Sequence, residues 1–172
     1  MATAACSNTN NVRPAIVPGV EIKVPEAAQS QTPQVKSNAK IIGAIEPIYF
    51  LPIKTPFNAR IDTGATTSSI GVSNMELFER DGEKWVSFDL INRKNKETHH
   101  FEKKIFRQVT IKRDGKYEKR VVVYMKVKFG GEIIDAQFSL AERENFINQG
   151  LVGRNILTGR AIVDTSISYT LK

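Results

Sequence analysis

The chain has 172 residues, and 25 Lys and Arg against 18 Asp and Glu give it a formal charge of +7. That length suits one domain or a domain with a tail, and the single cysteine, Cys6, excludes both an intrachain disulfide framework and a multi-cysteine metal site. No run of residues is long and apolar enough for a membrane-crossing helix, and two histidines leave little room for zinc chemistry.

Residues 1–40 read as a flexible tail or spacer. They hold Pro14, Pro18, Pro25 and Pro33 among many Ser, Thr, Asn, Gln and Ala, and the first aromatic residue is Tyr49. Such a segment buries too little apolar surface to offset the entropy of ordering it. Small residues lead into Cys6 in Thr-Ala-Ala-Cys, which resembles the end of a bacterial lipoprotein signal peptide. On that reading Cys6 carries a lipid and the tail tethers a periplasmic domain; the alternative is an incidental exposed thiol. No apolar signal core precedes Cys6, so an export signal is expected to have been removed.

From Ile41 onward the pattern is that of strands. Lys126 to Phe129 alternates, as does Ile134 to Phe138, with apolar Ile134, Ala136 and Phe138 on one parity. Ile105, Val109 and Ile111 share a parity within one long segment starting near Phe101. Asp81-Gly82, Asp114-Gly115 and Gly130-Gly131 fall between such runs and predict hairpin turns. Helical signal is confined to two turns over Ala141–Ile147 and a shorter piece over Arg154–Leu157. The expectation is an all-β domain over residues 41–172, a closed or nearly closed barrel with one short C-terminal helix.

The chemistry-bearing candidate is Ile61-Asp62-Thr63-Gly64-Ala65. An alternating strand delivers Asp62 to a tight turn. A carboxylate at a strand end can activate water when a second carboxylate shares one proton with it, because two such groups do not both ionise cheaply. A hydroxyl beside the acid can brace the loop, and glycine permits close approach of the backbone. Asp-Thr-Gly is equally a serviceable turn, so the tripeptide alone leaves both readings open. Asp164-Thr165-Ser166 is the other Asp-Thr pair in strand context, and it reads as structural because Ser stands where Gly is wanted. Asp135 faces opposite its apolar neighbours and is expected at the surface.

A second motif, Leu151-Val152-Gly153-Arg154-Asn155-Ile156-Leu157, lies far downstream. Together the two closely resemble the paired hallmarks of retroviral-type aspartic proteases, the retropepsins. The sequence between them, Phe78 to Val86 in particular, resembles a bacterial RimB-like branch often labelled ATP-dependent zinc proteases and associated with glutamate tails on ribosomal proteins. The resemblance covers about residues 41–172. It implies an aspartic endopeptidase of retropepsin-like fold, with Asp62 as the catalytic carboxylate. Thr63 would brace the loop, and Gly64 and Ala65 would shape the floor near the water. Gly153, Arg154 and Asn155 would be structural. Each retropepsin subunit carries one such Asp, so a homodimer is implied, its site completed across a two-fold axis. Glycine-rich flaps cover the substrate in viral members; here the polar segment Asn92–Lys104 or the turn Arg113–Lys116 are the candidates.

No metal, nucleotide or other cofactor is expected. The chain has no Gly-x-x-x-x-Gly-Lys-Ser/Thr loop for ATP and no His-Glu-x-x-His for zinc. His99 and His100 are adjacent in a polar stretch read as lying between strands, and neighbouring strand residues point to opposite faces. Basic residues are scattered without aromatic interleaving, which argues against nucleic acid and for a solvated face. If that face flanks the cleft, acidic peptide substrates are favoured. Two other readings stand beside the endopeptidase: a non-catalytic peptide- or partner-binding module on the same fold, and a hydrolase restricted to glutamate tails. The RimB-like resemblance implies the cytoplasm, against the periplasmic reading of the tail.

Overall fold

The computed structural model describes residues 39–113, 115–141 and 146–171. The tail with Cys6 lies outside them, as does Asp114; Lys40, at the expected tail boundary, opens the first strand. In chain order the strands are β1 (Lys40–Ile42), β2 (Ile45–Phe50), β3 (Phe57–Ile61), β4 (Ser68–Gly71), β5 (Ser73–Arg80) and β6 (Glu83–Ile91). There follow β7 (Thr98–Lys104), β8 (Arg107–Arg113), β9 (Lys116–Phe129), β10 (Glu132–Ala141) and β11 (Gly150–Val152). The helix α1 (Arg154–Leu157) and β12 (Ala161–Val163) complete the fold. The protein is all-β, as the alternation requires, with a single short helix among the described residues.

The strands form three sheets. The largest runs β10-β4-β11-β3-β2-β9-β8, and pairing of β9 with β10 joins six of its strands into a circuit with β8 appended. The β5-β6-β7 sheet is separate, and β1 pairs with β12 in parallel. Strict alternation on β2 and β3 turns Ile48, Phe50, Phe57 and Ala59 inward. Phe50 packs edge-on against Phe57 at 5.4 Å and Phe138 at 5.0 Å between ring centroids. Each fully buried side chain of this kind contributes about 1.5–3 kcal/mol. Val86, Phe88, Leu90 and Phe101 of the three-stranded sheet join the same apolar cluster.

The turns follow their chemistry. Asp81 and Gly82 both adopt positive φ (53° and 75°), as do Gly130 and Gly131 (59° and 90°), the geometry that matches a two-residue hairpin to strand twist. The structure corrects three sequence expectations. The segment after Phe101 breaks at Ile105-Phe106 into β7 and β8, which serve different sheets; Phe101 is buried and Ile105 packs against the core, while Val109 and Ile111 are half-buried. His99 and His100 lie within β7 rather than between strands. Ala141 is the last residue of β10, paired with Gly71, and Phe146 and Ile147 are not helical; residues 142–145 lie outside the description. The helix expectation fails because the start of that segment is claimed by a parallel ladder.

A buried carboxylate closes the fold. Glu46 on β2 has no exposed surface and accepts from Gly43 N at 2.6 Å, Thr170 Oγ1 at 2.7 Å, Thr170 N at 3.1 Å and Leu171 N at 2.9 Å. Burial pushes its pKa up, but the donors from Leu171, Thr170 and Gly43 outweigh that and hold it below the ordinary 4.5. The last residues thereby strap the β1–β2 turn so closely that a Cβ on Gly43 would stand 2.3 Å from the Ile167 carbonyl oxygen. A depressed carboxyl pKa contributes stability that is complete above the unfolded value and is lost as pH falls through the folded one. The chain is therefore expected to lose stability steeply below pH 4.5, the ordinary value. Glu46→Gln sets an amide NH2 against backbone donors, and it should cost ~3 kcal/mol at neutral pH and flatten the acid decline. Urea melts of both proteins from pH 3 to 7 check this, and a mutant with an unchanged acid slope would remove Glu46 as its cause.

Candidate active site

Parallel pairing sets the site. β3 and β11 run side by side in register, Ile61 against Val152, so the residues that follow them leave the sheet as neighbours. Asp62 N donates to the Val152 carbonyl at 2.9 Å. The two sequence motifs, far apart along the chain, thus become adjoining loops at one sheet end.

Within the first loop, the Asp62 carboxylate folds back on its own backbone. Oδ1 accepts from Gly64 N at 2.9 Å and Ala65 N at 3.1 Å, which fixes the side chain. The second oxygen has no hydrogen-bond partner among the described residues, and Asp62 is partly exposed. A Cβ on Gly64 would press on that carboxylate at 3.2 Å. Thr63 enters the bracing through its carbonyl oxygen; its own side chain is exposed.

The second loop holds the first. Arg154 Nη1 donates to the Thr63 and Gly64 carbonyls, both at 3.3 Å, and Nη2 to Thr66 Oγ1 at 2.9 Å. The backbone NH groups of Arg154 and Asn155 reach the Ala65 and Thr66 carbonyls at 2.8 and 3.2 Å. Gly153 must be glycine, since a Cβ there would stand 2.8 Å from the Ala65 carbonyl oxygen. Asn155 is the hub: its Oδ1 accepts from Ser68 N at 2.9 Å and Ser68 Oγ at 2.8 Å, while Nδ2 donates to the Gln137 carbonyl at 2.9 Å. Ser68 Oγ in turn accepts from Gly153 N at 3.0 Å.

Ser68, Gln137 and Arg107 were not singled out from the sequence. Ser68 is fully buried, a polar residue in a run of Ser and Thr that carries no periodic signal. Arg107, at the foot of the β8–β9 hairpin, donates to Thr67 Oγ1 at 3.1 Å and Gln137 Oε1 at 3.3 Å, tying the hairpin to the loop. Of the two flap candidates, Asn92–Lys104 is bound into the fold: Asn92 is buried against the Thr55 and Pro56 carbonyls, and β7 pairs along β6. The turn Arg113–Lys116 instead tips a hairpin whose β9 residues 116–121 pair with β8 and not with β10.

The remaining titratable candidates stand apart from this loop pair. Asp164 closes its own turn, accepting from Ser166 Oγ at 2.6 Å and Ser166 N at 2.9 Å, which lowers its pKa. Asp135 is exposed on β10. His100 Nδ1 sits 2.8 Å from Asp89 Oδ1, whereas His99 lies against Phe101 with 5.7 Å between ring centroids, so the pair faces opposite ways. Asn74 and then His100 lower the Asp89 pKa. Among the described residues, no group of three His, Cys, Asp or Glu is arranged to hold a metal ion.

Comparison with known proteins places these features. The RimB-like family, described as retropepsin-like aspartic endopeptidase RimB, matches residues 41–172. A probable alpha-L-glutamate ligase from Shewanella halifaxensis is 35% identical over 141 residues, covering 80% of this chain and 31% of that protein. One from Desulfotalea psychrophila is 33% identical over 138 residues, covering 77% and 29%. The chain thus spans less than a third of these relatives. A solved structure of a Legionella pneumophila protein of unknown function is similar with a TM-score of 0.67 and 27% identity, covering 79% of this chain and all of that one.

Asn155→Ala strips the partner from Ser68 N and Oγ and from the Gln137 carbonyl, and is expected to cost roughly 2–3 kcal/mol. Chemical denaturation measures it; a loss no larger than that of an exposed Asn→Ala control such as Asn58→Ala would show that the web does not hold the loops.

Proposed function

Because the chain belongs to the RimB-like family of retropepsin-like aspartic endopeptidases, we propose that it hydrolyses peptide bonds through a water held between the Asp62 carboxyls of two subunits. The observation that carries this is the state of the Asp62 side chain: one oxygen is held by two backbone NH groups and the other has no partner among the described residues. A chain with one such group completes a dyad by association with its copy. The two carboxyls share a proton, since like charges so close do not both ionise. The ionised one takes a proton as the water attacks the peptide carbonyl, and the protonated one donates to the carbonyl oxygen as charge develops there. Proton return to the nitrogen then releases the amine. The β8–β9 hairpin, anchored through Arg107, takes the place of the flap.

The relatives named as glutamate ligases favour a narrower version of this reading. The substrate would be an acidic, glutamate-rich peptide, and the +7 charge is suited to attract one. Hydrolysis rather than ligation is favoured for this chain because the family matched by residues 41–172 is described as an endopeptidase, and the chain spans less than a third of the ligase-named relatives.

The test is cleavage of a mixed peptide library and of polyglutamate between pH 4 and 8, by wild type and Asp62→Asn. Cleavage by wild type should be lost in the folded mutant, suppressed by a pepstatin-type inhibitor and indifferent to chelators. Cleavage of polyglutamate alone would select the restricted hydrolase. Undiminished activity of pure, folded Asp62→Asn would refute the assignment, and silence of both proteins on every substrate would favour a peptide-binding module.

A further inference from the structure

A cavity of about 820 Å3 lies where the β7–β8 connection meets the outer face of β9 and β10, and Asp62 is not among its lining residues. Its apolar wall is Leu51, Pro52 and Ile105, and it carries an exposed aromatic pair, Phe106 and Tyr124, 51% and 45% exposed with ring centroids 5.0 Å apart. Large aromatics left open beside a concave surface are typical of recognition sites.

Three lysines and one acid line the same space. Lys104 is paired with Glu83. Among the described residues, Lys126 sits opposite Asp135 in the β9–β10 register without a carboxylate in ion-pair range, and Lys103 rests over the Phe101 ring at 5.9 Å with no ion pair. Counting Glu83 and Asp135 against the lysines still leaves a positive cavity. Tyr124 connects it to the active-site loop: its hydroxyl accepts from Gln137 Nε2 at 3.0 Å, Gln137 Oε1 accepts from Arg107, and Arg107 donates to Thr67. A strip of polar side chains headed by a cation therefore runs from the Asp62 loop to the cavity mouth.

We propose that this cavity is an exosite that holds acidic residues of the peptide substrate outboard of the scissile bond. The substrate leaves the Asp62 loop across Arg107 and Gln137, sets its carboxylates near Lys103 and Lys126, and lays its side-chain methylenes on Phe106 and Tyr124. The proposal rests on the peptidase reading for the identity of its occupant, while the binding itself needs no catalysis. Asp135 opposes such a ligand, which gives the proposal a sign: removing that charge should tighten binding.

The experiment is fluorescence anisotropy with fluorescein-labelled hexaglutamate, against hexaglutamine, on the full chain carrying Asp62→Asn so that the probe survives. Hexaglutamate should bind in preference to hexaglutamine and be released by salt. Lys103→Gln/Lys126→Gln should weaken it about tenfold or more, whereas Lys94→Gln/Lys96→Gln, the same charge change on a turn outside the cavity, should alter it by about twofold at most. Asp135→Asn should strengthen it, and thermal melts confirm that each variant folds. Equal binding of the two probes, or equal effects of the two double variants, would overturn the exosite. Lysine-dependent binding in a protein whose cleavage ignores Asp62 would overturn the peptidase reading and leave the exosite standing. Asp62-dependent cleavage with lysine-independent binding would do the reverse.

Discussion

The parallel ladder between β3 and β11 is the constraint on which the site depends. With Ile61 held against Val152, the chain has no freedom to separate Asp62 from Gly153-Arg154-Asn155. Everything that follows is local: the Arg154 guanidinium meets loop carbonyls because they emerge beside it, and Asn155 reaches Ser68 because β4 flanks β11 on its other side. The side chain of Asn155 ties the second loop to β4 through Ser68 and to β10 through Gln137, which gives the stiffness that the role proposed for Asp62 requires. Preorganisation of this kind removes the cost of arranging dipoles during reaction.

A second closure acts on the β1–β2 turn, whose Ala44 carbonyl accepts from Ile61 N at 2.9 Å. Glu46 gathers Gly43, Thr170 and Leu171 around a buried charge, and the C-terminal segment lies over the β1–β2 turn as a result. A buried carboxylate is tolerable only when its lone pairs are filled, and here backbone NH groups do most of the filling. The same strap keeps β12 beside β1, with Ile41 and Ile162 exposed next to each other in that ladder. The fold thus separates two tasks: β3 and β11 shape the Asp62 loop, while Glu46 secures Thr170 and Leu171 against the β1–β2 turn.

The three-stranded sheet of β5, β6 and β7 serves both core and surface. Val86, Phe88 and Leu90 point into the common apolar cluster, and the other parity meets solvent. Its last strand hands the chain to β8 through Ile105-Phe106, and that connection forms one wall of the lysine-lined cavity. Position, not composition, distinguishes these lysines from the others: Lys94 and Lys96 occupy a turn, whereas Lys103 and Lys126 face a concavity floored by aromatic rings.

The all-β class, the hairpins at Asp81-Gly82 and Gly130-Gly131, the helix at Arg154–Leu157 and the two motifs around Asp62 and Gly153 are legible in the amino-acid string. Each is a local signal, carried by period-two alternation, turn residues that accept positive φ, or a short contiguous string. What those strings do to each other is set by how the strands pair. The loss of Ala141 to a parallel ladder, the burial of Glu46 and Ser68, and the bridge from Arg107 to Thr67 all depend on partners 30 or more residues away, whereas the Phe101 segment breaks because its halves take different neighbours, β7 pairing with β6 and β8 with β9. A polar residue reads as surface until its hydrogen-bond partner is known, and long-range pairing supplies that partner with no trace in local pattern.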